Sequence, residues 1–200
     1  MHVKSIRVAL AALAAGAALT ACSSPMKAGA AAVVGGERIA AKDLDEKVTE
    51  YEKALTMAKL DASALQVPLN QFVLYRLTNE SVYRQLAAKH RVAVSEAEID
   101  VALKDPGQQQ SPQMNLLAKG VAPGNARDYL RAEIGMSKLL EQLGGGQNQQ
   151  AVEQLRKEFT TIKVSYSPRY GQINPQPSQE NPSMFVDTGR FGKLTPTAQG

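Results

Sequence analysis

The sequence predicts a mainly α fold, with short β pieces at either end of the folded body. Three observations carry this expectation. Apolar residues recur at helical spacing through several consecutive stretches between Leu44 and Phe159. Val33-Val34-Gly35-Gly36-Glu37-Arg38-Ile39 sets two short β-prone pieces around a Gly-Gly pair, a hairpin signal. Thr161–Tyr166 (TIKVSY) alternates as a strand does.

The chain opens with Lys4 and Arg7, followed by a small-to-apolar run from Val8 to Leu19. A charged start, a short apolar stretch and small residues after it form the pattern of a secretory signal peptide, here residues 1–21. The run is too short and alanine-rich for a membrane-spanning helix, which needs about 20 apolar residues. Residues 22–31 are small, polar and Gly/Ala-rich, and read as a flexible tether.

The folded body is expected over residues 32–171. Leu44, Val48, Tyr51, Leu55 and Ala58 make one helical stripe, with Asp43, Asp45 and Glu46 in the first turn, where the helix dipole favours acids. A second helix runs from Pro68 to about His90. Phe72, Tyr75, Val82, Tyr83 and Leu86 share one side of it, and Leu69, Val73 and Leu77 widen the stripe, so it is the expected centre of packing. Val92-Ala93-Val94 is an extended link. Ser95 and Glu98 then form a capping box that opens a short helix to about Lys104, stopped by Asp105-Pro106-Gly107. Pro112–Lys119 forms a small helix ended by Gly120. Asn125 caps the next, whose stripe is Tyr129, Ala132, Met136, Leu139 or Leu140, and Leu143, and Gly144-Gly145-Gly146 ends it. Val152, Leu155 and Phe159 mark a last helix before TIKVSY. Prolines 175, 177, 182 and 196, many polar residues and no periodicity make 172–200 a disordered tail in this reading.

Composition excludes several function classes. The chain has 200 residues and a formal charge of +4, which falls to +2 once Lys4 and Arg7 leave with the signal. That balance is too small and too evenly spread for nucleic-acid binding. Cys22 is the only cysteine, and His90 is the only histidine beyond the signal. Disulfides and multi-histidine metal centres therefore lack parts, and nothing near His90 supports a Ser-His-Asp triad. Acylation of Cys22 (read below from its signal box) removes the one thiol, and neither enzyme activity, a cofactor nor a metal is expected. His90 reads as a helix-terminal residue beside Arg91, where cations complement the dipole. No phosphate-binding glycine loop is present, consistent with an ATP-independent function.

Leu19-Thr20-Ala21-Cys22 resembles the Leu-x-small-Cys box that closes bacterial lipoprotein signals. The resemblance implies cleavage before Cys22 and diacylglycerol on its thiol. Two or three acyl chains, at about 0.8 kcal/mol per buried CH₂, anchor a protein stably where one does not. The implied location is extracytoplasmic, lipid-anchored to the cell membrane, or to the outer membrane of a two-membrane cell. An ordinary secreted protein with an incidental cysteine is the alternative.

The order of features across residues 32–171 resembles the chaperone core of the extracytoplasmic SurA and PrsA family of parvulin-type chaperones. The carrying residues are Val33 to Ile39 with the Lys42-Asp43-Leu44-Asp45 helix start, Val92 to Ile99, and the Pro168-Arg169-Tyr170-Gly171 ending. The resemblance implies a helical core closed by a small β element formed from N- and C-terminal strands. Family members often insert a parvulin isomerase domain of about ninety residues between the last core helices. Here Gly144 to Gln150 joins those helices directly, so the client-holding part is implied without the isomerase. The partners implied are unfolded or newly exported polypeptides and, through the lipid, a membrane.

Flexible, polarizable methionines and aromatic rings suit an adaptable client groove. Tyr51, Met57, Phe72, Tyr75, Met114 and Met136 are the candidate client-contacting residues, although each taken singly reads first as ordinary core. Two functions follow. One is an ATP-independent holdase for exported chains. The other is a non-catalytic structural or adaptor lipoprotein that binds one envelope partner, for which the tail 172–200 is the candidate contact. An open groove favours the first and a filled core the second.

Overall fold

The computed structural model describes residues 28–65, 67–176 and 183–186. The signal peptide, Cys22 and most of the tether lie outside the described residues.

β1 (Ala30–Val34) and β2 (Glu37–Ala40) form the expected hairpin, paired antiparallel from Val34–Glu37 to Ala30–Ala40 with an irregularity between Ala30 and Ala32. Gly35 and Gly36 make the turn at φ +55° and +97°, as a two-residue hairpin loop requires. A Cβ on Gly35 would also sit 2.2 Å from the Gln85 amide oxygen, so any larger residue there must push aside the side chain that donates to the Val34 carbonyl. The chain runs straight from β2 into α1 (Ala41–Met57). α2 (Leu69–Lys89), α3 (Glu96–Ala102), α4 (Pro112–Ala118), α5 (Ala126–Gln142) and α6 (Gln149–Thr161) follow. β3 (Val164–Tyr166) returns to β1, giving a three-stranded antiparallel sheet of order β2-β1-β3. A mainly helical body closed by strands from its two ends is thus the observed architecture.

α2 is the spine. α5 packs along it more extensively than any other helix, and α1, α6 and β1 surround the rest. Its N-terminal half meets α1, β1 and α4 in one core around Leu44, Tyr51, Leu55, Val73, Leu74 and Leu117. Its C-terminal half meets α5, α6 and β1 in another, around Val34, Val82, Leu86, Met136 and Leu139. Between α3, α4 and α5 lies a third, around Ile99, Val121, Tyr129 and Leu130.

Caps set several boundaries. Ser95 accepts from the Glu98 amide while the Glu98 carboxylate accepts from the Ser95 amide, completing the capping box read from the sequence. Ser111 caps α4 with Pro112 at its first position, and Asn148 caps α6 through the Gln150 and Ala151 amides. His90 is the C-cap of α2, with Nε2 3.5 Å from a Glu158 oxygen on α6.

Four expectations are corrected. The tether does not extend to residue 31: Ala30, Ala31 and Ala32 belong to β1 and are buried, their small side chains fitting a strand pressed against α1 and α2. Asn125 precedes α5 but makes no side-chain cap. Its amide joins α1 instead, accepting from Lys47 Nζ at 2.5 Å and donating to Glu50 at 2.8 Å. Only Val164–Tyr166 of TIKVSY is strand, because Thr161 still closes α6. The stretch from 172 onward, expected to be disordered, carries β4 (Gln172–Ile173) paired antiparallel with β5 (Phe185–Val186). Phe185 is buried, edge-on to Tyr166 at 5.1 Å between ring centroids. A single aromatic anchor does this work, which hydrophobic periodicity cannot reveal.

Candidate functional site

The expected inward stripe of α2 differs from the observed one. Val73, Val82 and Leu86 are buried, but so are Arg76, Thr78 and Ser81, while Tyr75 is 37% exposed. The polar positions are engaged. The hydroxyls of Thr78 and Tyr166 lie 2.9 Å apart, Ser81 donates to Glu37, and Arg76 Nη1 donates to Glu80 Oε2 at 2.6 Å. α2 is enclosed on several sides at once, so its polar residues find partners inside the fold rather than water.

Along this helix runs a groove of about 160 Å³, closed by the end of α4 and by α5. Phe72, Tyr75 and Tyr83 of α2 and Tyr129 of α5 give it aromatic walls. Its polar lining is Arg76, Asn79 and Glu80 of α2, Lys119 just after α4, and Glu133 of α5. One helix presents residues 72, 75, 76, 79, 80 and 83 to the same side because these steps of three and four follow the 3.6-residue turn.

The floor is electrostatically unusual. Arg76 is 6% exposed, and its Nε is buried without a partner. Burial holds the Arg76 guanidinium below its ordinary pKa, against the pull of the Glu80 charge. Burial likewise raises the Glu80 carboxyl, opposed by Arg76. Glu133 is raised by burial too, despite the Lys119 charge and a hydrogen bond from Tyr129. The Tyr129 hydroxyl is pushed up by the same burial and by the Glu133 charge. Polar groups short of water and of full pairing at the bottom of an aromatic cleft are what a ligand site contains.

A second groove, of about 330 Å³, flanks the other side of the α2–α5 contact and also touches Glu80. Its floor is Ala87, Ala88, Val92, Val94 and Ala132, rimmed by Arg84, Asp128 and Arg131. Those rim arginines are committed: Arg84 pairs with Glu37, and Arg131 with Glu96 and Asp128. The aromatic groove is the better candidate because its polar groups are not so committed.

The six residues proposed from sequence divide. Phe72 and Tyr75 line the aromatic groove. Tyr51, 1% exposed, is core: its hydroxyl donates to the Leu117 carbonyl at 2.7 Å, burial pushes its pKa up to about 12, and its ring packs on Phe72 at 6.1 Å. Met136 is buried in the core between α2, α5 and α6. Met114 packs half-buried against the α1–α2 core, and Met57, 82% exposed, stands at the end of α1 away from the groove. The groove is aromatic rather than methionine-lined. Tyr83, Tyr129, Arg76, Asn79 and Glu133 were missed. The residue triplet Arg76, Asn79, Glu80 alternating with Tyr75 and Tyr83 on one helical side was the available signal.

Among the described residues no three His, Cys, Asp or Glu side chains converge as a metal site, and no helix is long and apolar enough to cross a membrane. No curated protein and no solved structure matches the chain. The SurA-like N-terminal domain matches residues 2–140, which include β1 to α4 and nearly all of α5, with every residue of the aromatic groove. Isomerase activity in chaperones of this kind resides in a parvulin domain, of which the 200 residues give no sign. The chain therefore belongs to the SurA-like N-terminal domain family, and through it is related to chaperones that bind polypeptides.

Proposed function

We propose that this protein is an ATP-independent, non-enzymatic holdase for unfolded, newly exported polypeptides, anchored outside the cytoplasm through lipid on Cys22. The observation that carries the reading is the groove between α2, α4 and α5, with aromatic walls over incompletely paired polar groups. Unfolded chains present apolar side chains and main-chain amides together, and a cleft of that composition offers contacts to both. Lipidation of Cys22 keeps this body where exported chains emerge.

The test is aggregation of a chemically unfolded client in the presence of the full chain purified in detergent. Suppression without added nucleotide is expected at near-stoichiometric ratios. Unchanged aggregation at several-fold molar excess sinks the reading. Mass spectrometry of the membrane-extracted protein checks the anchor. It should find diacylglycerol on an N-terminal Cys22, and no membrane fraction after Cys22→Ser.

A further inference from the structure

We propose that the aromatic groove holds an extended polypeptide by its main-chain amide, with Asn79 and Glu133 as the reading residues and the aromatic rings receiving the adjacent side chain. The inference rests on the holdase reading and specifies the chemistry the site recognises.

Four charges line the groove: Arg76 and Lys119 positive, Glu80 and Glu133 negative. They cancel, so a ligand of either charge meets a like charge as well as an opposite one. A neutral group that both donates and accepts hydrogen bonds suffers no such repulsion. The unused capacity points the same way. Of the five guanidinium N–H donors of Arg76, the one bond formed is to Glu80. The Glu133 carboxylate, which accommodates about four hydrogen bonds, has Tyr129 as its hydrogen-bond partner and no ion pair within 4.0 Å. Asn79, half-buried in the lining, offers both an N–H₂ and a carbonyl. Spare donors and spare acceptors in one desolvated cleft match a secondary amide, which carries one of each. The volume sets the scale. At about 30 Å³ per water, 160 Å³ is some five waters, room for about one residue of chain with its side chain against the rings. Every polypeptide carries this amide, so a groove that reads it accepts clients of unrelated sequence.

The experiment is an ester scan. A capped, dye-labelled heptapeptide of alanine, valine and leucine is titrated onto the full chain, together with analogues in which one backbone amide at a time becomes an ester. The ester keeps the chain geometry but deletes the N–H donor and weakens the carbonyl. At one central position the ester is expected to weaken binding at least fivefold. In Asn79→Ala and in Glu133→Leu, neither of which breaks an ion pair, that penalty should shrink below twofold. A flat scan, an undiminished penalty in both variants, or no binding of the parent peptide overturns the inference. Suppression of client aggregation is read separately. A flat scan with suppression intact removes amide reading while the holdase function stands, whereas lost suppression removes the holdase function itself.

Discussion

Arg76 and Glu80 form a buried ion pair one turn apart on α2, with 2.6 Å between Nη1 and Oε2 and both side chains almost wholly shielded from water. Desolvating two charges costs about as much as their attraction returns, so such a pair contributes little net stability, yet stranding either partner is expensive. Arg76→Met is therefore expected to lower unfolding free energy by about 3–5 kcal/mol. The double variant Arg76→Met with Glu80→Leu should recover most of that loss. Denaturant melts of the two single variants and the double variant check this, and additive losses would contradict the account.

Glu133 supplies a pH signature. Burial raises its carboxyl above the usual value of 4.5, so between that value and the folded one the native state holds a proton the unfolded chain has lost. Stability contributed here is present at low pH and declines as pH rises through the raised value. Glu133→Gln is expected to match the parent near pH 4 and to exceed it at pH 7 in thermal melts. A variant less stable at pH 7 would contradict this.

Glu98 behaves oppositely. The Lys138 ammonium, then the Ser95 amide and hydroxyl, hold its carboxyl down at about 2. Its contribution is in place above the unfolded value of 4.5 and is lost as pH falls from there toward 2. A carboxyl-detected NMR titration should place its midpoint near 2. Glu98→Gln should flatten the acid limb of the stability profile.

Tyr51→Phe removes the hydroxyl that reaches the Leu117 carbonyl, which keeps only its bond from the Gly120 amide. The expected loss is about 0.5–1.5 kcal/mol, measured by chemical denaturation. Because Tyr51 lies beneath the groove wall rather than in it, client suppression by the folded variant should be unchanged.

The ribbon of β4 and β5 makes Gln172–Ile173 and Phe185–Val186 part of the fold. Phe185→Ala is expected to cost about 3 kcal/mol, at the lower end for a buried phenylalanine, through loss of its contact with Tyr166. Gly171 sits at φ +86°, and a Cβ there would lie 2.6 Å from the Val186 carbonyl oxygen, so Gly171→Ala should unseat the same ribbon. Truncation at 171 discards Phe185, so it cannot separate an adaptor tail from a holdase body. Removing only residues 187–200 is the cleaner cut. Hydrogen exchange at Ile173 and Tyr166 reports both substitutions.

Much of the fold was legible in local chemistry. The Gly35-Gly36 turn, the Ser95–Glu98 box, and the Leu44–Tyr51–Leu55 and Tyr129–Met136 stripes each state their structure within a few residues, because turns, caps and amphipathic faces are decided by near neighbours. The aromatic groove was only half legible. Periodicity marked Phe72 and Tyr75, but it marked Tyr51 and Met136 equally, since spacing along a helix is the same for a cleft wall and for a core.

The sequence by itself determined the helical succession, the hairpin and the resemblance to a chaperone domain. Tertiary structure alone decided which side of α2 opens to solvent, that Arg76 is buried against Glu80, that Asn125 ties α5 to α1 rather than capping its helix, and that Phe185 closes the fold. The reason is physical. Those outcomes depend on which elements meet, and the free energy of a buried charge or a lone aromatic anchor is set by partners distant in sequence.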